Sequence, residues 1–442
     1  MKRYIYYLLA PGFFLTGCKK DLDPAFDKSP DQRLTETLAA YQQQLVNAPN
    51  GWKAYVYPTG VGVTPSGIGG FTFYMKFTNA NRVSMMSDFD NTTSTAARES
   101  SYRLKALQQP TLIFDTYSYI HTIADPDPNV SFGWYGRGWA SDFELAYKNV
   151  KQDTIEFEGR LNKSKVFFIK ATQAEEDAFK AGQLKKIVDA SIAYITANKF
   201  LYFNGTANTR IAVAFDYDFL IVKFTYIDPA SGAVVTVKAP FSHTVNGVHF
   251  KEPVSVSGFT FQDMYWDEVK SIYYLMSGTT RVELINAAAP IIPLWNVLGI
   301  NYTSITVPVT PLPGQSPLFA TKYAAVKTGV KTGGFNLDLG EMSFTFNVPN
   351  KTMVLSAPMK QGATTFAFTW NYSYTVDNNG IFKFTRTGQN ANAPVVETPM
   401  RALLDYIEND KFSIDFFVNG ATLLGQFNSK DNPAFVFTGN LK

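Results

Sequence analysis

The chain has 442 residues, a formal net charge of +3 and 17% charged residues, below the usual level of about 25%. No Lys/Arg run exceeds two residues, so the basic footprint of a nucleic-acid-binding protein is missing and no nucleic-acid partner is expected. One cysteine excludes an internal disulfide framework, and with only His121, His243 and His249 beside it the usual zinc sites lack ligands.

Aromatic residues make up 15% of the chain, with 37 Phe and 24 Tyr. Such residues pack well on pleated surfaces, which points to a β-rich protein. At this length two or three domains are expected.

Lys2 and Arg3 precede a short apolar run from Ile5 to Leu15. That run is too short to cross a bilayer, where about 20 apolar residues are needed, and it reads as an export signal over residues 1–17. Leu15-Thr16-Gly17-Cys18 then resembles a bacterial lipobox, which makes Cys18 a lipidation site and membrane anchor. Each buried methylene of the attached chains contributes about 0.8 kcal/mol, so several chains anchor firmly. Residues 18–29 are polar, contain Pro24 and read as a tether. The Lys19-Lys20-Asp21-Leu22-Asp23 pattern resembles the surface-export signal of Bacteroidota lipoproteins. The expected location is the outer membrane, facing the cell exterior.

Ser29-Pro30 offers an N-cap followed by Pro at N1, and Leu34, Leu38, Tyr41 and Leu45 share one helical face. Pro49-Asn50-Gly51 ends this helix. From Trp52 the period falls to two. "WKAYVYP", "FTFYMKF", "RVSMMSDF", "TLIFDTY", "DFELAYK", "DTIEFEGR" and "KVFFIKA" all read as strands. "GVGVTPSGIGG" lacks the GK[ST] ending of a phosphate-binding loop and reads as a hairpin or surface loop.

Thr172 and Glu175 form a capping-box pattern opening a helix expected over 173–198, with Gly182 as a point of division. A second β region follows. Residues 291–315 are rich in Pro and Thr and read as a linker or extended crossover. The last region, 316–442, is again β-rich, with one clear helix starting at Thr398-Pro399 and carrying Met400, Leu403, Leu404 and Ile407.

The expected fold is mainly β (β-rich α+β), with antiparallel barrel or sandwich domains and a few flanking helices. Domains are expected at 30–200, 201–290 and 316–442. "FTFYMKFTNANRVSMM" and "FTFNVPNKTMVLSAPM" share a hairpin pattern, but no fixed period persists and no duplication is inferred.

The stretch 111–145 concentrates the residues suited to binding. Tyr117, His121, Trp134, Tyr135 and Trp139 lie beside Asp115, Asp125, Asp127, Asp142 and Glu144 in a loop punctuated by glycine. Trp and Tyr supply large rigid faces that stack on sugars or pack against partners. The simpler reading, preferred for the segment as a whole, is a long loop folding back over its own barrel end. Asp125-Pro126-Asp127-Pro128-Asn129 departs from an EF-hand loop and reads as a turn, so no metal site is assigned. Asp142/Glu144 and Glu156/Glu158 are paired carboxylates, and a solvated strand face is their simpler explanation. No catalytic residue and no cofactor is assigned.

"QRL", "GWKAYVYP", "RVSMMSDF", "SYRL", "IFDTYSYIHTIADP", "DTIEFEGR", "NGVHFKEPVSVSG" and "FNSKDNPAFVFTGNL" together resemble a Bacteroidota surface lipoprotein family. That family is catalogued as a domain of unknown function, and its genes often sit in SusC/SusD-type loci near a predicted zinc metallopeptidase. The resemblance implies an accessory binding component of a glycan or peptide uptake system. Two other readings stay open: a hydrolase using acidic residues near 115–144, and a structural partner of a SusC/SusD-type transporter complex.

Overall fold

The computed structural model describes residues 28–59 and 67–442. The export signal and Cys18 lie outside the described residues, as does the greater part of the "GVGVTPSGIGG" loop. The chain divides into two compact units, Met1–Lys186 and Ile187–Lys442. The β-rich, antiparallel character expected from the sequence holds throughout both.

The first unit is built on a closed barrel of eight antiparallel strands. They are β1 (Trp52–Tyr57), β2 (Phe71–Phe77), β3 (Arg82–Ser87), β4 (Arg98–Ala106), β5 (Pro110–Phe114), β6 (Glu144–Lys151), β7 (Thr154–Gly159) and β8 (Lys165–Lys170). Each pairs with its sequence neighbour, and β1 closes on β8 from Trp52↔Lys170 to Tyr57↔Lys165. Alternate residues turn inward: Trp52, Ala54 and Val56 on β1, then Phe73, Met75 and Phe77 on β2. An eight-stranded barrel is just wide enough for side chains to fill, and here aromatic rings fill it. Phe157 and Phe168 lie 4.8 Å apart, and Phe77 meets Tyr102 edge-on at 4.9 Å.

One barrel end is plugged by the helix Pro30–Val46. Ser29 and Gln32 form a reciprocal capping box, with Ser29 Oγ accepting from the Gln32 amide at 3.2 Å and the Ser29 amide donating to Gln32 Oε1 at 3.1 Å. Only its C-terminal half packs. Leu45 is buried and accepts the Trp52 indole N–H at its carbonyl (2.8 Å), and Tyr41 stacks on Tyr147 at 3.9 Å. Leu34, expected on the buried face, is 41% exposed, since it lies in the N-terminal half that does not pack on the core.

The expected 173–198 helix is two helices, Gln173–Lys180 and Gln183–Ala197. Gly182 divides them at φ +75°, a left-handed conformation that ends a helix at little cost only for glycine. The Thr172/Glu175 capping box is present.

In the second unit, nine strands between Leu201 and Asn286 form one antiparallel sheet. Consecutive strands pair in turn, and the last, Ile285–Asn286, returns to pair with the first, Leu201–Asn204. Phe203, Phe224, Phe241, Phe250 and Tyr273 make its core. A second closed eight-stranded barrel follows, from Ser304–Val307 to Val436–Leu441, closed by Ile305↔Leu441.

Two expectations change here. The 291–315 segment is not a plain linker. Leu294, Val297 and Leu298 are buried in the second barrel's core, and Ser304–Val307 is that barrel's first strand. Its prolines flank the strand rather than interrupt it, so the ladder loses no donor. The C-terminal region also holds a second long helix, Pro317–Thr332, N-capped by Ser316 Oγ on the Phe319 amide at 3.2 Å. Phe319, Tyr323, Val326 and Val330 form its buried stripe. Gly329 allows it to approach the helix Glu397–Asn409, since a Cβ there would meet the Pro399 Cβ at 2.7 Å.

Candidate functional site

Strand parity places four connections of the first barrel at one end: β1–β2, β3–β4, β5–β6 and β7–β8. In the second barrel the same end is closed by the two packed helices Pro317–Thr332 and Glu397–Asn409, whose Phe319, Met400, Leu403 and Ile407 join the core. The first barrel closes this end with loops instead, and the longest is 115–143.

That loop is anchored from inside. The turn of helix Tyr119–Thr122 drives Tyr119, Ile120 and Ile123 into the barrel core, and the Tyr119 hydroxyl donates to the Ala96 carbonyl at 3.1 Å. His121 is 8% exposed. Its Nδ1 accepts the Ser118 amide at 3.1 Å, which leaves Nε2 to carry the proton toward the Phe114 carbonyl at 3.2 Å. Burial pushes its pKa below the ordinary 6.5, so the ring is neutral at pH 7. With both nitrogens committed to backbone, His121 clamps the loop from inside.

Asp127 N-caps the short helix Pro128–Ser131, accepting from the Asn129 amide at 2.9 Å, and Asp125 accepts from the Asp127 amide at 2.9 Å. Asp125 also receives the Tyr117 hydroxyl at 2.5 Å. The acidic Pro-containing run is thus a capped turn, as its composition suggests. Gly138, at φ +54°, lies where a Cβ would meet the Asp125 carbonyl at 2.7 Å, so the chain can fold back there only with glycine.

Trp139 joins the loop to the core. Its indole N–H donates to the Ser131 carbonyl at 2.8 Å, and its ring meets Phe71 at 5.9 Å and Trp134 at 5.1 Å, both edge-on. Outside this support lies an aromatic ledge. Tyr135 is 90% exposed and Phe132 is 65% exposed, while Trp134 is half-buried with the Arg137 guanidinium 5.5 Å from its ring. Phe132 sits at φ +53°, uncommon for a bulky residue, and its ring stacks on Phe89 at 5.6 Å. Phe89 in turn contacts Phe71 at 5.6 Å, so the ledge rests on the barrel core. Tyr117, 44% exposed, stacks on His121 at 5.5 Å to one side, with Arg98 5.8 Å from its ring.

Of the five residues expected to bind, Trp134 and Tyr135 stand on the ledge and Tyr117 is exposed beside His121. His121 and Trp139 hold the loop in place. Phe132 and Phe89 escaped the sequence reading, because "NVSFGW" and "SDFD" carry no signal that the two rings stack on each other.

The paired carboxylates are structural too. Asp142 is buried and accepts from the amides of Leu161 (2.8 Å), Asn162 (2.9 Å) and Ser164 (3.1 Å), and from the Ser164 hydroxyl (2.8 Å). It shapes the β7–β8 turn. Glu144 pairs with Arg160 at 3.3 Å, and Glu156 and Glu158 pair with Lys151 and Lys148 on the barrel exterior.

A closed antiparallel barrel with a rigid aromatic loop end defines a scaffold on which contact residues are displayed, and this class sets no single function. The chain belongs to the family described as Domain of unknown function (DUF4302), whose profile matches residues 22–268. The match takes in the whole first barrel and the central sheet as far as the strand Phe259–Asp267. No curated protein matches. Among solved structures, a lipopolysaccharide binding protein aligns at 11% identity over 94% of this chain and 97% of its own, but at a TM-score of 0.10 the likeness carries no argument.

Proposed function

We propose that the protein is a lipid-anchored surface lipoprotein that binds a glycan or peptide at the loop end of its first barrel. The observation that carries this reading is the ledge of Phe132, Trp134 and Tyr135, exposed or half-exposed yet fixed to the core through Phe89 and Trp139. A monomer that leaves aromatic faces in water without use is uncommon, and preorganised faces bind without paying an ordering cost. The lipobox at Cys18 supplies the anchor, and the resemblance to Bacteroidota lipoproteins supplies the SusC/SusD-type uptake setting. The protein then acts as an accessory that captures cargo near the transporter.

Two experiments test the reading. On glycan and peptide arrays, Trp134→Ala and Tyr135→Ala abolish retention while the circular dichroism of the folded chain is unchanged. In the cell, Cys18→Ala moves the protein from the membrane to the soluble fraction. Array ligands retained equally by both ledge variants refute the binding site, and unchanged membrane retention refutes the anchor.

A further inference from the structure

The unit Ile187–Lys442 contains a cleft of about 320 Å³ between the central sheet and the elements that lead into the second barrel. Its sheet wall is formed by Ala212 and Ala214, two residues apart on one strand face, with Thr225 paired opposite Ala212. Its other wall carries Ile291, Tyr302 and Phe416, the last two meeting edge-on at 5.9 Å. Ala212, Ala214 and Thr225 are all small, which leaves space opposite Ile291, Tyr302 and Phe416.

Four polar side chains punctuate this apolar lining, Lys199, Thr225, Asn301 and Tyr302, and Thr225 is already engaged with Thr236 at 3.1 Å. The Tyr302 hydroxyl makes no hydrogen bond among the described residues, and burial raises its pKa, so it remains a donor. Lys199 lines the cleft and is exposed. Its ammonium donates to the Ala421 carbonyl at 3.2 Å and faces no carboxylate at ion-pair distance among the described residues. An apolar slot with few polar groups, one of them cationic, matches a ligand with an apolar body and one negative end. A methylene fills about the volume of a water molecule, roughly 30 Å³, so the cleft holds a chain on the order of ten carbons.

We propose that this cleft binds a free medium-chain carboxylate, its tail between Ala214 and Ile291 and its head at Lys199. This site is separate from the aromatic ledge and does not depend on it.

Calorimetric titration of the full chain tests the proposal with three probes of equal length: sodium decanoate, decanol and decyltrimethylammonium. Decanoate binds one site and is preferred over the cationic probe. Lys199→Glu, a surface change that leaves the fold intact, weakens decanoate roughly tenfold and makes the cationic probe the better ligand. Ala214→Trp fills the cleft and removes decanoate binding. The proposal is overturned if decanoate does not bind, or if Lys199→Glu leaves the head-group preference unchanged. It is equally overturned if a folded Ala214→Trp binds as before. Capture of the chain by phosphatidylglycerol vesicles that is lost in Ala214→Trp assigns the cleft to membrane lipid and also contradicts the free carboxylate.

Discussion

Trp139 donates its indole N–H to the Ser131 carbonyl at 2.8 Å while its ring packs edge-on against Phe71 in the barrel core. This one side chain ties both ends of the Ser131–Trp139 segment together and fixes Trp134 beside it. Replacing it with alanine removes packing and a hydrogen bond at once. Trp139→Ala should destabilise the first barrel by about 3 kcal/mol, read from the denaturant midpoint at constant slope. Tyr135→Ala, which removes an almost fully exposed ring, should stay within about 0.5 kcal/mol of the parent. A similar loss in both variants would mean that the ledge and its support are not distinct.

His121 gives the loop end a pH dependence. Its folded pKa lies below the ordinary 6.5 because it is buried, so the unfolded chain binds the proton more readily. The stability it contributes is fully present above about pH 6.5 and is lost as pH falls through its folded value. The protection factors of amides 118–123, which correct each exchange rate for its intrinsic value at that pH, should therefore fall between pH 7 and pH 5. His121→Gln should flatten that dependence, and an unchanged profile in the variant would assign it to another group.

Glu176 acts in the same direction but in a more acidic range. It is buried between Lys76 and Lys180, each 2.7 Å away, and these ammonium donors hold its pKa down at about 2, against an ordinary 4.5. Its contribution is present above about pH 4.5 and disappears as pH falls toward 2. Glu176→Gln should lower stability at pH 7 by about 2 kcal/mol and leave a shallower acid limb. Equal acid limbs in both proteins would contradict this role.

Much of the fold was legible in the residues. Ser29-Pro30 and Thr172-x-x-Glu175 announce helix starts through capping chemistry that is local in sequence, and both caps are formed. The strand Thr154–Gly159 alternates in step with its burial, whereas Trp52–Tyr57 and Phe71–Phe77 are buried on both faces. Pro317–Thr332 was hidden because its Ala and Gly residues dilute the apolar stripe, although Phe319, Tyr323, Val326 and Val330 keep helical spacing. The two similar hairpins prove to be the second and third strands of two eight-stranded barrels. Short alternating strings recur too easily for that equivalence to be read from sequence alone.

The candidate site was legible in place but not in detail. The density of Trp and Tyr over 111–145 identifies the loop, since its Gly-punctuated stretch has no strand alternation that would bury them. Which rings face water depends on long-range contacts such as Phe89 on Phe132 and Trp139 on Phe71. The fate of His121 depends on two backbone groups, at Phe114 and Ser118, that no side-chain pattern encodes.

The ledge of Phe132, Trp134 and Tyr135 is the surface on which binding depends most. The direct measurement is the affinity of an array-selected glycan or peptide for the parent chain and for the Phe132→Ala/Tyr135→Ala double variant, with melting temperatures recorded beside it. The account predicts at least a roughly tenfold loss of affinity with an unchanged melting temperature, as expected for exposed aromatic contacts. Full affinity in a folded double variant would contradict it.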